Sequence, residues 1–166
     1  MDRTRIISAV EAEHSDSLES ASMNGPIQLK GTILIVEDHD GIAETYTLIL
    51  KARGYDVILS SNGDECIQKF DEFRRKNIEN KDKCPFTVVV VDYHIPGKDG
   101  IEVIQHILSA APHQRILIAS SYPKDVIRRS ARGMGTTVEL LAKPFDLLDF
   151  ADAIDGRRPA DTLGFE

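Results

Sequence analysis

Apolar residues fall along this chain in two alternating rhythms. Short unbroken runs, TILIV at 32–36, YDVILS at 55–60, FTVVVVD at 86–92, RILIAS at 115–120 and TVELLA at 137–142, have the length and β-branched content of buried strands. Between them the apolar positions recur at three- and four-residue steps, the spacing of a helix with one buried face. Ile42, Tyr46, Ile49 and Leu50 form such a stripe within 40–53, and Gly54 follows as a stop. Asn62 is placed to cap a helix carrying Cys66, Ile67, Phe70 and Phe73. Asp99 is placed to cap one carrying Ile101, Ile104, Ile107, Leu108 and Ala111, with Pro112 just past its end. A shorter, more basic helix is expected over 124–132, and a last one over about 146–155 with Leu147, Phe150, Ala151 and Ile154 inward.

Strands that alternate with helices predict an α/β fold, a doubly wound parallel sheet of five strands with helices on both faces. Right-handed crossovers then limit the topology. The rhythm spans residues 31–155, which is the expected domain. Residues 1–30 include EAEHSDSLESASMNGP, rich in Ser, Glu and Asp; with little to bury, the segment is expected as a flexible acidic tail. Residues 156–166 are expected as a loose C-terminal end.

Composition narrows the function classes. The 166 residues suit one domain rather than two. A net charge of −7 argues against a nucleic-acid surface, and no basic recognition helix stands out. No apolar run approaches the roughly 18 residues of a membrane span. The cysteines, Cys66 and Cys84, lack metal-ligand spacing and read as free thiols in a reducing, cytoplasmic setting.

The chemistry gathers at the strand ends. In an open parallel sheet, ligands bind beyond the carboxyl ends of the strands. The first strand ends in Glu37-Asp38, the third in Asp92, the fourth in Ser120-Ser121 and the fifth in Lys143-Pro144. Clustered carboxylates repel one another unless a cation sits among them. Oxygen-only ligands suit a hard ion such as Mg²⁺, and a metal beside a lysine is an electrostatic clamp for a phosphoryl group. An aspartate there can be the nucleophile. The structural alternatives are Asp38 as a cap of the first helix, Glu37 as a surface residue, Ser120 as strand-end filler next to an equally placed Ser121, and Lys143 as a solvated lysine. His39, His94, His106 and His113 are scattered and read as surface residues.

The motifs LIVEDHD, VVVVDYHIPGKDG, ILIASS and LLAKPF, in this order and each at a strand end, resemble the receiver domain of two-component response regulators. The resemblance covers about residues 31–155. It implies the flavodoxin-like strand order 2-1-3-4-5. It also implies Asp92 as phospho-acceptor, Mg²⁺ held by Glu37, Asp38, Asp92 and the backbone carbonyl of His94, Ser120 as donor to the phosphoryl oxygen, and Lys143 as its cationic partner. The Lys143-Pro144 bond is cis in that family. A sensor histidine kinase would be the donor. With few residues after 155 the chain reads as a stand-alone receiver, which signals through an unknown downstream protein, a relay, or a homodimer on the face of helix four, strand five and helix five. The segment KDVIRRSARGMG gives that face a basic patch.

The sequence departs from the family at Leu140, where many receivers carry the aromatic that swings inward on activation. His94 and Tyr122, two residues beyond Asp92 and Ser120, are bulky and predict slow loss of the phosphoryl group. Two rival readings remain. One is a phosphohydrolase of the haloacid-dehalogenase type, which usually has a second aspartate where His94 stands. The other is a pseudo-receiver that binds partners without being phosphorylated. No Gly-rich phosphate loop follows the first strand, which disfavours a nucleotide-binding fold.

Overall fold

A computed structural model describes residues 29–77, 84–130, 138–157 and 160–162. The expected acidic tail falls outside these except at Leu29 and Lys30, as does the second half of the basic segment, 131–135. The elements are β1 (Gly31–Val36), α1 (Asp40–Ala52), β2 (Tyr55–Ser60), α2 (Gly63–Asn77), β3 (Val88–Asp92), α3 (Gly100–Ala110), β4 (Ile116–Ser120), α4 (Lys124–Ser130), β5 (Val138–Ala142), α5 (Leu147–Ile154) and β6 (Asp161–Thr162).

Several ends are set by local chemistry. Asp99 Oδ1 accepts from the Glu102 amide at 2.8 Å and Glu102 Oε2 accepts from the Asp99 amide at 3.0 Å, a reciprocal capping box at the start of α3. Asn62 Oδ1 accepts from the Glu65 amide at 2.9 Å at the start of α2. The residue before α1 is His39, which makes no side-chain cap bond, so Asp38 is not the cap of that helix. Gly54 has φ +88°, the left-handed geometry that ends a helix cheaply only at glycine.

The sheet has the order β2-β1-β3-β4-β5-β6, and its first five strands are parallel. Side chains alternate across each strand, so each apolar run serves two layers at once. Ile33, Ile35, Val88, Val90, Leu117 and Leu141 pack with Tyr46 and Leu50 of α1 and Phe150 of α5. Leu34, Val36, Val89, Val91, Ile116, Ile118 and Leu140 pack with Phe70 of α2, Ile104 and Ile107 of α3, and Ile127 of α4. This is why four consecutive valines stay in one strand: successive ones fill opposite cores. Below the sheet, Arg115 donates to both oxygens of Glu139 at 2.7 and 2.8 Å and to the carbonyls of Ala153 and Ile154 at 2.8 and 2.7 Å, tying the end of α5 to β4 and β5.

The C-terminal segment departs from the expected loose end. Asp161–Thr162 pairs antiparallel with β5 (Glu139 with Thr162, Leu140 with Asp161) and adds a sixth strand at the sheet's edge. Lys124 Nζ lies 3.2 Å from Asp161 Oδ2 and links this strand to α4. Among the described residues no helix is long and apolar enough to cross a membrane.

Candidate functional site

The strand ladder itself carries the site residues to one edge. The Glu37 amide donates to the Ser60 carbonyl at 3.0 Å and the Lys143 amide to the Ser120 carbonyl at 2.7 Å, so both continue their strands by one residue. In register, Asp92 lies beside Ala119 and Ser120 beside Ala142. Side-chain alternation then sorts them. Glu37 continues the series of Ile33 and Ile35, Asp92 that of Val88 and Val90, and Lys143 that of Leu141, all on the α1/α5 side. Ser120 continues Ile116 and Ile118 and belongs to the opposite layer.

The contacts follow that sorting. Lys143 Nζ lies 2.5 Å from Asp92 Oδ2 and 3.7 Å from Glu37 Oε2. The other oxygen of Asp92 accepts from the His94 amide at 3.0 Å, and Oε1 of Glu37 from the His39 amide at 3.2 Å. Glu37 is only 4% exposed, which excludes the surface reading. Burial pushes its carboxyl above the ordinary value; the His39 amide and Lys143 pull it down, while Asp92 and Asp38 push it up further. Asp38 itself is exposed. Ser120 is buried, and its Oγ accepts from the Tyr122 amide at 3.0 Å. The His94 side chain is exposed and Tyr122 half-exposed. The Lys143–Pro144 peptide is cis. Behind Asp92, a Cβ at Gly100 would come within 3.0 Å of the Asp92 carbonyl, so glycine lets α3 start close against the site.

Leu140 is buried in the core shared with Ile127 and carries no polar atom. Two aromatic residues at the site, Tyr46 and Tyr93, were not singled out from the sequence as functional. Tyr46 stacks on Phe150 with ring centroids 4.2 Å apart and lies 6.2 Å from Phe145, the residue that follows the cis peptide. Burial and the charges of Glu37 and Asp92 hold its hydroxyl well above the ordinary phenol range. Helical spacing marked Tyr46 only as core. Tyr93 follows Asp92 directly; its ring lies 5.3 Å from that of Tyr122, and its hydroxyl donates to Ser130 Oγ at 3.1 Å. Its place beside the strand-end aspartate was the one signal the sequence offered. A groove of about 370 Å³ opens next to Lys143, between Ile42, Thr45 and Tyr46 of α1 and Pro144, Phe145 and Leu147.

Among the described residues no three Asp, Glu, His or Cys side chains are close enough to enclose a metal ion by themselves. The donors present are nonetheless all oxygens. A small hard ion that keeps several of its waters needs only one or two carboxylates from the protein. The arrangement therefore fits Mg²⁺ better than a softer ion.

The chain is similar to known proteins over this same region. The sporulation initiation phosphotransferase F of Bacillus subtilis is 27% identical over 122 residues, 74% of this chain and 89% of that protein. A cyclic di-GMP phosphodiesterase of Thermotoga maritima is 30% identical over 116 residues, 70% of this chain but 28% of that protein. A response regulator from Burkholderia pseudomallei, solved with a phosphorylated aspartic acid, calcium ion and citrate, superposes with a TM-score of 0.58 at 24% identity, over 74% of this chain and 65% of its own; this likeness speaks for the fold. The family model of the response regulator receiver domain matches residues 33–155, the span that holds all of β1 to α5 except the first residues of β1. With that match added to the fold and the strand-end residues, the chain belongs to the response regulator receiver domain family.

Proposed function

We propose that this receiver accepts a phosphoryl group on Asp92 from the phospho-histidine of a sensor histidine kinase, in the cytoplasm, and acts as a signalling module rather than an enzyme. The observation that carries the reading is the ammonium of Lys143, 2.5 Å from one oxygen of Asp92 and 3.7 Å from Glu37, brought together from the ends of three strands. An oxygen of the Asp92 carboxylate attacks phosphorus in line. The phosphorus–nitrogen bond of the donor breaks, and its electron pair returns to the imidazole, which takes up a proton. Lys143 then pairs with the phosphoryl oxygens instead of the carboxylate. The His94 amide, already bonded to the Asp92 carboxylate, holds it in position. Glu37, Asp38 and Asp92, with the His94 carbonyl, would hold Mg²⁺, which when bound supplies charge neutralisation for the transferring group. Ser120, after its side chain turns toward the site, donates a hydrogen bond from its hydroxyl to a phosphoryl oxygen.

The groove beside Lys143, with its partly exposed Ile42 and Leu147, gives the kinase an apolar contact next to the acceptor. The output face is that of α4, β5 and α5, where Lys124, Arg128 and Arg129 are basic and β6 lies along the strand edge. A downstream protein or a second copy of this chain binds there.

Incubation with acetyl phosphate and Mg²⁺, followed by intact-mass measurement, tests the reading. One added phosphoryl mass is expected, lost in Asp92→Asn; labelling that survives this substitution removes Asp92 from the role. A receiver-like binding module that is never phosphorylated is the second reading. The observation in its favour is that no three acidic side chains close around a common point among the described residues. Absence of Mg²⁺ binding at millimolar concentration decides for it.

A further inference from the structure

We propose that Tyr93 and Ser130 form the latch through which the state of Asp92 controls helix α4, in place of an aromatic switch at Leu140. The proposal rests on the phosphoryl-acceptor reading and adds how that site is read at the surface. Two separate connections from the site meet at Tyr93. The first is the backbone: Tyr93 follows Asp92, and its amide donates to the Ala119 carbonyl at 3.1 Å, which fixes it against β4. The second runs through the loop after β4. Ser120 Oγ accepts from the Tyr122 amide at 3.0 Å, and the Tyr122 ring packs on Tyr93 with centroids 5.3 Å apart and planes inclined by 58°. From Tyr93 the connection passes to α4: its hydroxyl donates to Ser130 Oγ at 3.1 Å, and Ser130 Oγ donates to the Val126 carbonyl at 3.2 Å.

α4 suits control of this kind. Among its described residues Ile127 is the one buried side chain, so little apolar burial ties this part of the helix to the sheet. Tyr93 holds Ser130, so losing that bond loosens the helix there. Ser120 supplies the trigger. When its side chain turns about χ1 to donate to an oxygen on Asp92, Oγ itself moves away from the Tyr122 amide and that bond is lost. The Tyr122 loop shifts, the ring contact with Tyr93 changes, and the bond to Ser130 is lost. Leu140, buried beside Ile127 and without a polar atom, has no comparable link to the site.

The test compares wild type, Tyr93→Phe, Ser130→Ala and the double variant, with beryllofluoride plus Mg²⁺ as the acyl-phosphate mimic. Hydrogen exchange of the α4 amides is read with and without the mimic, and mimic affinity is titrated. Without mimic, each single variant is expected to exchange faster than wild type across α4, with the double variant no faster than either. Ser130→Ala raises intrinsic helix propensity, so faster exchange there does not come from propensity. The mimic accelerates α4 exchange in wild type and adds little in the variants. By reciprocity the variants bind the mimic about two- to five-fold more tightly, the factor for one partly exposed hydrogen bond. Unchanged α4 exchange in the single variants, additive effects in the double variant, or a full response to the mimic without the Tyr93 hydroxyl overturns the latch. A wild-type protein that does not bind the mimic, or binds it equally as Asp92→Asn, overturns the acceptor reading and the latch together.

Discussion

Replacing Glu37 by Gln is expected to make the protein more stable at neutral pH, although it removes a proposed metal ligand. Glu37 is 4% exposed, and only its Oε1 has a close donor, the His39 amide at 3.2 Å. Its Oε2 faces the Lys143 ammonium at 3.7 Å, beyond hydrogen-bond reach, and that ammonium is also engaged by Asp92 at 2.5 Å. A buried polar group without a close partner costs about 1–3 kcal/mol. Gln keeps the acceptor for His39 and loses the repulsion from Asp92 and Asp38, but its amide nitrogen faces the ammonium, which offsets part of the gain. We expect a net gain of about 1 kcal/mol at pH 7, a rise in Tm of about 2–4 °C for a chain of this size. The pH dependence follows from the direction of the shift. The folded-state carboxyl is raised above its ordinary value of 4.5 by burial first of all. Folded Glu37 therefore holds its proton more tightly than unfolded Glu37. The stability this proton supplies is fully present below pH 4.5 and is lost as pH rises through the raised value. The difference between variant and wild type should thus be largest at neutral pH and vanish near pH 4. Urea titrations at pH 4, 5.5 and 7 measure it, and Mg²⁺ should stabilise wild type more than the variant. A variant less stable at pH 7, or a gain that persists unchanged at pH 4, refutes the argument that a buried charge is responsible. If the gain appears, Glu37 is a residue whose charge destabilises the fold around it, as expected of a group serving a ligand.

Lys143→Met should slow labelling by acetyl phosphate by about 100-fold, the scale for losing one preorganised charge-stabilising donor, and chelation of Mg²⁺ should abolish labelling; a rate within twofold of wild type removes Lys143 from the phosphoryl site. Arg115→Met should cost about 2–4 kcal/mol in urea unfolding, because Glu139 is left half-buried and two α5 carbonyls lose their donor, and Arg115→Lys should recover little of it because an ammonium cannot reproduce the fork. A thiol reagent at pH 8 should modify exposed Cys84 in the native protein and Cys66 only after unfolding, since burial pushes the Cys66 thiol up to about 12; two reactive thiols in the native state contradict the packing of α2.

Much of this molecule was legible residue by residue. The caps at Asn62 and Asp99, the stop at Gly54 and most of the helical stripes depend on groups within a turn or two of each other, and they appear where the spacing predicts them; Ile42 and Leu147, expected on the buried stripes of the first and last helices, are instead partly exposed beside the groove. The valines before Asp92 and the acidic pair after Val36 were equally clear, because a strand end is marked by the chain itself. The Lys143–Pro144 cis peptide and the strand order came through the family resemblance, not from any local pattern. Less was legible where a residue has two possible surroundings. Tyr46 read as core, which it is, but its stack on Phe145 and Phe150 beside Lys143 depends on how α1 meets α5. The final residues read as a loose end because a two-residue strand has no periodicity; Asp161 and Thr162 are ordered by the open edge of β5, which the segment's own composition does not reveal.

The amino-acid order by itself determined the alternation of strands and helices and the list of reactive groups at the strand tips, because both arise from interactions between near neighbours along the chain. Which of those groups meet was decided by the sheet. Strand register and side-chain alternation put Glu37, Asp92 and Lys143 on the α1/α5 side and Ser120 on the other, and they put Tyr93 within reach of Ser130, 37 residues further along. Contacts of that kind depend on backbone pairing between distant segments, and a single strand read alone does not contain it.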